Sequence, residues 1–294
     1  MRTELSILIP TYNDSCLDLV KQLSAQAQTV PMLKSYEIIV GDDGSTDSNI
    51  IESNCRINEI PNCRYLLREH NEGRAAIRNF LVQQAQYEWL LFVDADMLIV
   101  NPHYLATYLH SLSEAKVIYG GYRVVGHAPN NLRFLYEKQA ESNQTADKRS
   151  RMPYHDFHTS NFLASKVVMQ SYPFDNRIRR YGYEDVLFGK KLHDEAIQIA
   201  HIDNPLGFGL FENNADFLSK TEEGLHTLHE FRNELYSYSR LIARAEQMEK
   251  LFLARPFIHL YNRKKQSWKA SLCSDTPSLF LFKLYKMGYY LSLS

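Results

Sequence analysis

At 294 residues, with 45% hydrophobic and 23% charged residues, the chain has the length and apolar content for one large domain, or a domain with an appendage, around a sizeable core. A formal net charge of −1 provides no global field for nucleic acid, and no apolar run approaches the ~18 residues of a membrane span. Four cysteines (Cys16, Cys55, Cys63 and Cys273) lack metal or redox spacing, which points to a reducing cytoplasm, and the opening MRTELSILIPTYN has no long apolar run of the signal-peptide type.

Residues 5–10 (LSILIP) read as a short apolar strand, followed by the loop Thr11-Tyr12-Asn13-Asp14. Asn13 or Asp14 is placed to cap a helix over about 15–28. A second strand, 36–41 (YEIIVG), ends in Asp42-Asp43-Gly44-Ser45-Thr46-Asp47 before a helix over 48–58. A Gly turn and an N-cap explain part of this loop. They do not explain two adjacent aspartates, whose repulsion calls for a donor or a cation. A shorter strand at 62–67 leads to NEGRAAIRNF, which opens a helix reaching about residue 86, with Asn71 as its cap. Gly73 allows a ligand to approach the backbone at that helix N-terminus, and Arg74 and Arg78 share one helical face.

The fourth strand, 89–93 (WLLFV), is apolar on both faces, as in a buried parallel sheet, and delivers Asp94-Ala95-Asp96. In open α/β sheets the ligand site lies beyond the carboxyl ends of the strands. Two carboxylates one residue apart there can share a hard cation, and Mg²⁺ takes one or two carboxylates plus substrate phosphates. Four strand–helix alternations in about 100 residues predict a doubly wound, mostly parallel sheet whose Asp42/Asp43 and Asp94/Asp96 loops converge on one cleft.

Beyond Asn101-Pro102 the pattern gives a helix to about residue 113, a strand at 116–120, a bend at Gly120-Gly121 and a helix over 132–141. Residues 146–158 (ADKRSRMPYHDFH) read as a polar, basic surface loop or lid. A strand at 159–165, a helical turn at 166–171, a loop over 174–185, a helix over 186–193 and a strand at 197–202 follow. The loop ends in Gly182 flanked by Tyr181 and Tyr183, then Glu184-Asp185.

The ordered blocks ILIPTYND, EIIVGDDGSTD, NEGRAAIRN, WLLFVDADM and GYEDVLFG resemble family 2 glycosyltransferases of the GT-A fold over about residues 4–215. The last block also resembles the C-terminal part of galactosyltransferase- and chondroitin-synthase-type enzymes. The resemblance implies an inverting transfer of sugar from a nucleotide-diphosphate sugar, preferably a UDP-sugar, to a hydroxyl of a glycan or lipid-linked acceptor, assisted by Mn²⁺ or Mg²⁺. It implies that Pro10, Thr11 and Tyr12 cradle the base with Tyr12 stacking on it, that Asp42 and Asp43 contact the base, and that Arg78 lies near the diphosphate. Asp94-Ala95-Asp96 then holds ribose and metal, with Asp96 the main ligand. Asp185 is the implied catalytic base, and Glu184 contacts or orients the acceptor. Such enzymes often add a metal-binding His in an Asn-Pro-x-x-His segment. Here Asn204-Pro205-Leu206-Gly207-Phe208 places Phe at that position, with His201 upstream as a substitute.

An inverting transfer needs one base opposite the leaving group and a Lewis acid for the departing diphosphate, which two separate acidic sites supply. Two rivals are a sugar nucleotidyltransferase, which would carry a Gly-rich basic loop where PTYND stands, and a binding module that has lost catalysis. A dehydrogenase is disfavoured, since no G-x-G-x-x-G follows the first strand.

The expected division is a catalytic domain over 1–220, with a nucleotide-binding half over 1–100 and an acceptor-binding half over 101–220, and a helical extension over 221–294. From Leu225 onward, LHTLHEFRNELYSYSRLIARAEQMEKLF reads as one long amphipathic helix. Residues 225–294 hold 11 Lys/Arg and 5 Asp/Glu, a net of +6, and SLFLFKLYKMGYYLSLS mixes apolar and aromatic residues with lysines. The foremost reading is helices packed on the catalytic domain or a partner subunit. The alternative is peripheral attachment to the inner face of an anionic membrane.

Overall fold

The structure is a computed structural model that describes residues 3–112 and 115–293. The chain forms two compact units: Met1–Val125, Asn143–Arg179 and Glu184–Leu210 make the first, and Gly126–Ser142, Arg180–Tyr183 and Phe211–Ser294 the second. The boundary expected at 220/221 falls inside the helix Asn214–Glu230.

In the first unit the strands are β1 (Thr3–Thr11), β2 (Leu33–Asp42), β3 (Cys63–Leu67), β4 (Trp89–Val93), β5 (Met97–Leu98), β6 (Val117–Tyr119), β7 (Tyr122–Val124), β8 (Asn161–Ser165), β9 (Ile199–His201) and β10 (Leu206–Phe208). Seven of them form one sheet in the order β3-β2-β1-β4-β8-β6-β9, and β5-β10-β7 form a second, smaller sheet. The large sheet is parallel except for β8, which runs antiparallel to both β4 and β6. Leu5, Ile7, Leu8 and Ile9 of β1 and Leu90 to Val93 of β4 are fully buried, as runs apolar on both faces require when helices cover both sides. Phe92 stacks on Phe162 with ring centroids 4.5 Å apart, and Phe157, Phe174 and Phe188 pack around that pair.

The antiparallel β8 positions the site. It pairs Val93 with Asn161, so the start of β8 lies beside the end of β4. Asp94 N–H donates to Ser160 O at 3.1 Å. Asn161 is fully buried: its Oδ1 accepts from the hydroxyls of Tyr104 (2.6 Å) and Tyr108 (2.8 Å), and its Nδ2 donates to Gly121 O and Asn204 O. A Cβ at Gly120 would meet Tyr108 Oη at 2.5 Å, so only glycine lets this polar knot close.

Several local expectations change. Neither Asn13 nor Asp14 caps the first helix, Leu17–Thr29, whose N-cap is Cys16. Asn13 instead takes φ 53° and its Oδ1 accepts the N–H groups of Thr46 and Asp47, tying the first loop to the second. Asn71 does not cap the helix Arg74–Gln84, because Gly73 stands at the N-cap. The helix after Asn101-Pro102 is confined to Tyr104–His110. The lid expected over 146–158 is anchored by the buried Phe157 and by Arg149, whose guanidinium donates to Ile202 O at 2.7 Å and to Gln144 O.

In the second unit, Leu132, Phe217, Leu218, Tyr261, Leu272, Phe282 and Tyr285 form the core. The long helix expected from Leu225 is broken into Asn214–Glu230, Arg232–Leu235, a 3₁₀ turn over Tyr236–Tyr238, and Arg240–Lys250. Ser239 is extended and its hydroxyl accepts Ile242 N–H, a capping bond that competes with helix continuation. Helices Ala254–Leu272 and Leu279–Leu291 complete the unit. No described helix is long and apolar enough to cross a membrane.

Candidate active site

The carboxyl ends of β1, β2 and β4 carry the loops singled out in the sequence, and their hydrogen bonds show what each residue does. Thr11 closes β1 opposite Asp42, and its carbonyl accepts Asp43 N–H at 2.9 Å. Pro10 is half-buried, Thr11 is buried with its hydroxyl on Asp14 O, and the Tyr12 ring is exposed.

The adjacent aspartates find protein donors. Fully buried Asp42 accepts Ser45 N–H (2.8 Å) and the Tyr65 hydroxyl (2.5 Å). Asp43 accepts Arg68 Nη1 at 2.8 Å, Gly73 N–H at 2.7 Å and Glu72 N–H at 3.1 Å. Burial pushes the Asp43 carboxyl up, against the opposing pull of those N–H groups and of Arg68. Both aspartates thus tie the loops at the sheet's carboxyl edge together. Gly73 stands beside them. It takes φ 96°, its N–H is taken by Asp43, and a Cβ there would meet Arg179 O at 3.0 Å, so its backbone is held by protein rather than left for a ligand.

Arg78 is the hub of the site. Its side chain is only 2% exposed and bridges Asp94 Oδ1 (2.8 Å) and Glu184 Oε1 (3.3 Å), carboxylates 16 and 106 positions away. Arg74, about half-exposed, stands 3.8 Å from the same Glu184 oxygen. Glu184 is buried, with its Oε1 facing these two arginines. Ala95 and Asp96 form the turn after Asp94, both partly exposed.

Asp185 lies in the first turn of helix Glu184–Asp194, where the helix macrodipole favours a carboxylate. Its Oδ1 accepts Val186 N–H at 2.8 Å, and its Oδ2 lies 3.0 Å from His158 Nδ1. Burial raises its pKa, but the His158 bond and charge, the Val186 N–H and the Arg78 charge outweigh burial and hold it below the usual carboxylate range. The His158 ring packs edge-on to Tyr119 and Tyr122. The sequence reading missed His158 because it lay in an apparent surface loop. The signal was its position three residues before a strand that turns out antiparallel, which brings strand starts, not ends, to the cleft edge.

Among the described residues no group of three or more His, Cys, Asp or Glu is placed to hold a metal ion. His201 does not supply a further ligand: its Nε2 faces Pro153 O at 3.0 Å and its Nδ1 accepts from Arg149 Nε at 3.3 Å. Burial, together with the Arg149 charge, lowers its pKa to about 4 against the Pro153 carbonyl, so the ring is neutral. Asp94 and Asp96 remain as two hard oxygen donors, a set that suits Mg²⁺ or Mn²⁺ completed by phosphate oxygens and water.

Residues 6–172 match the sequence profile described as glycosyl transferase family 2. Validoxylamine A glucosyltransferase of Streptomyces hygroscopicus subsp. jinggangensis is 28% identical over 228 residues, covering 66% of this chain and 52% of that protein. The chain thus spans about half the length of that relative, and a smaller share of several others that it matches. S. aureus TarS 1–349 in complex with UDP-GlcNAc superposes with a TM-score of 0.53 at 17% identity, covering 100% of this chain and 90% of that one. The mannosyltransferase PcManGT of Pyrobaculum calidifontis, in complex with GDP-Man and Mn²⁺, gives a TM-score of 0.55 at 15% identity, covering 100% and 81%. With more than half of its length matched by one family profile, and its sheet shared with proteins of the GT-A fold, the chain belongs to glycosyl transferase family 2.

Proposed function

We propose that this chain is an inverting glycosyltransferase that moves a sugar from a nucleotide-diphosphate sugar, preferably a UDP-sugar, to a hydroxyl of a glycan or lipid-linked acceptor. The observation that carries the reading is the ionised Asp185, held by His158 beside the Asp94–Arg78–Glu184 bridge at the sheet's carboxyl edge. Asp185 takes the proton of the acceptor hydroxyl as its oxygen bonds to the anomeric carbon. The bond from that carbon to the diphosphate breaks with its electron pair, and the configuration inverts. His158 fixes the Asp185 carboxylate, and Arg78 fixes Asp94 relative to the same helix. Tyr12 offers an exposed ring for the base.

Asp96, with Asp94, would hold Mn²⁺ or Mg²⁺ together with the nucleotide. Such an ion supplies charge neutralisation for the departing diphosphate. The UDP-GlcNAc in complex with TarS and the GDP-Man and Mn²⁺ in complex with PcManGT support a nucleotide-diphosphate donor and a divalent ion. The Glu184-Asp185 motif supports the likeness to galactosyltransferase- and chondroitin-synthase-type enzymes. The net basic character of residues 225–294 supports peripheral contact with an anionic membrane, which suits a lipid-linked acceptor.

Calorimetry with uridine, guanosine and thymidine diphosphates, each with and without Mn²⁺, on wild type and Asp96→Ala tests the donor half. Mn²⁺-dependent binding of uridine diphosphate, lost in the variant, is expected. Absence of binding by any nucleotide would overturn the transferase reading in favour of a module without catalysis.

A further inference from the structure

In the second unit the longest run of exposed large apolar residues among the described residues lies outside the stretch the sequence singles out. Helix Leu279–Leu291, the most apolar stretch of the tail, buries Phe282, Tyr285, Met287, Tyr290 and Leu291. That helix leaves Phe280 (72%) exposed, but the run of three consecutive exposed apolar residues is Leu251 (57%), Phe252 (88%) and Leu253 (52%), at the turn between Arg240–Lys250 and Ala254–Leu272.

The turn is a Schellman motif. Leu253 N–H donates to Met248 O at 2.8 Å and Phe252 N–H to Glu249 O at 3.0 Å, with Phe252 at φ 58°. Glycine takes that position without strain, whereas a phenylalanine there strains the backbone and shows its ring to water. Folding therefore gains nothing from this side chain. Its surroundings are basic. Lys250 and Arg255 flank the triplet, and Arg240, Arg244, Arg263 and Lys264 are exposed on the two helices. The acidic residues of these helices, Glu246 and Glu249, are each paired with Arg232.

We propose that Leu251-Phe252-Leu253 is a membrane-insertion tip. Its three side chains enter the interface of an anionic bilayer while the flanking Lys250 and Arg255 meet the head groups. The proposal deepens the peripheral contact proposed above and rests on that reading for its purpose, although its test uses no catalysis. Charge complementarity selects this occupant. A second copy would set the same positive surface against itself, and one turn falls short of the ~800 Å² per partner of a stable interface.

The test is sedimentation of the full chain with vesicles of phosphatidylcholine, with and without phosphatidylglycerol, at low salt. Wild type is expected to be retained only on the anionic vesicles. Phe252→Gly is expected to fall about tenfold or more in vesicle affinity, from loss of one buried ring, with an equal or higher thermal midpoint. Lys250→Gln and Arg255→Gln are expected to lose about fivefold each. Phe252→Trp is expected to show blue-shifted emission quenched by brominated acyl chains. Failure of wild type to bind anionic vesicles, or equal retention of Phe252→Gly, overturns the proposal. So does a self-association in sedimentation velocity that Phe252→Gly abolishes without any vesicle binding, which would assign the tip to a second copy. Unchanged uridine diphosphate binding by Phe252→Gly keeps this outcome separate from the fate of the transferase reading.

Discussion

Asp185 and His158 meet through one imidazole–carboxylate bond of 3.0 Å, and the proposed chemistry depends on how that bond sets the carboxylate's protonation. The Asp185 pKa is held below the ordinary value, so the carboxylate is ionised at neutral pH and protonates only as pH falls through that depressed value. Transfer activity should accordingly be flat at neutral pH and fall at acid pH. Removing His158, as in His158→Ala, leaves burial less opposed, and the acid limb of kcat/KM should move to higher pH. His158→Asn keeps a donor and should move it less. An acid limb that stays in place would contradict the coupling. Asp185→Asn should lower kcat by about 10²–10⁴ with nucleotide affinity unchanged by calorimetry, since the group acts on the acceptor proton. Arg78→Met should destabilise by about 3–5 kcal/mol in urea unfolding, because it removes the buried partner of Glu184 and leaves only the half-exposed Arg74 beside it.

At the scale of elements, β4 and β8 decide where the site lies. Residues 89–93 were legible as a buried strand, and 132–141 and 166–171 as helices, because long or strongly apolar segments carry their own signal. The two- and three-residue strands β5, β7 and β10 were not, since so few residues define no period. The direction of β8 was not legible either: a strand reads the same in both directions, and only its partners orient it. Asn161, at the start of β8, should be intolerant of change. Asn161→Leu strands the hydroxyl of Tyr104 and leaves that of Tyr108 only the residue-161 carbonyl, and a loss of at least about 2 kcal/mol is expected in denaturant unfolding. Gly73→Ala should cost about 1–3 kcal/mol, from its φ of 96° and the approach of Arg179 O, and should loosen the N–H that holds Asp43.

For the whole molecule, a bound nucleotide stabilises the folded chain by mass action. Uridine diphosphate with Mn²⁺ at a hundredfold excess over Kd should raise unfolding stability by about 2.7 kcal/mol, seen as a higher thermal midpoint. In Asp96→Ala the Mn²⁺-dependent part should vanish, whereas a shift that persists without Mn²⁺ would show binding independent of the ion. The two compact units also place the sequence's surface expectations differently. The apolar helix Leu279–Leu291 is core, and the exposed apolar tip lies in a turn that composition did not mark.

By itself the sequence determined the alternation of strands and helices, the buried central strands and the acidic loops at their ends. Those features follow from local periodicity and from runs whose burial no other arrangement satisfies. Tertiary structure alone decided which charges meet. Arg78 joins Asp94 to Glu184, which lies 106 positions beyond it in the chain, Asp42 and Asp43 turn inward to protein donors, and His158 reaches Asp185 from the segment leading into a strand that runs against its neighbours. The physical reason is that a side chain's partner is set by the crossing of elements distant in the chain, and no local pattern of residues records that crossing.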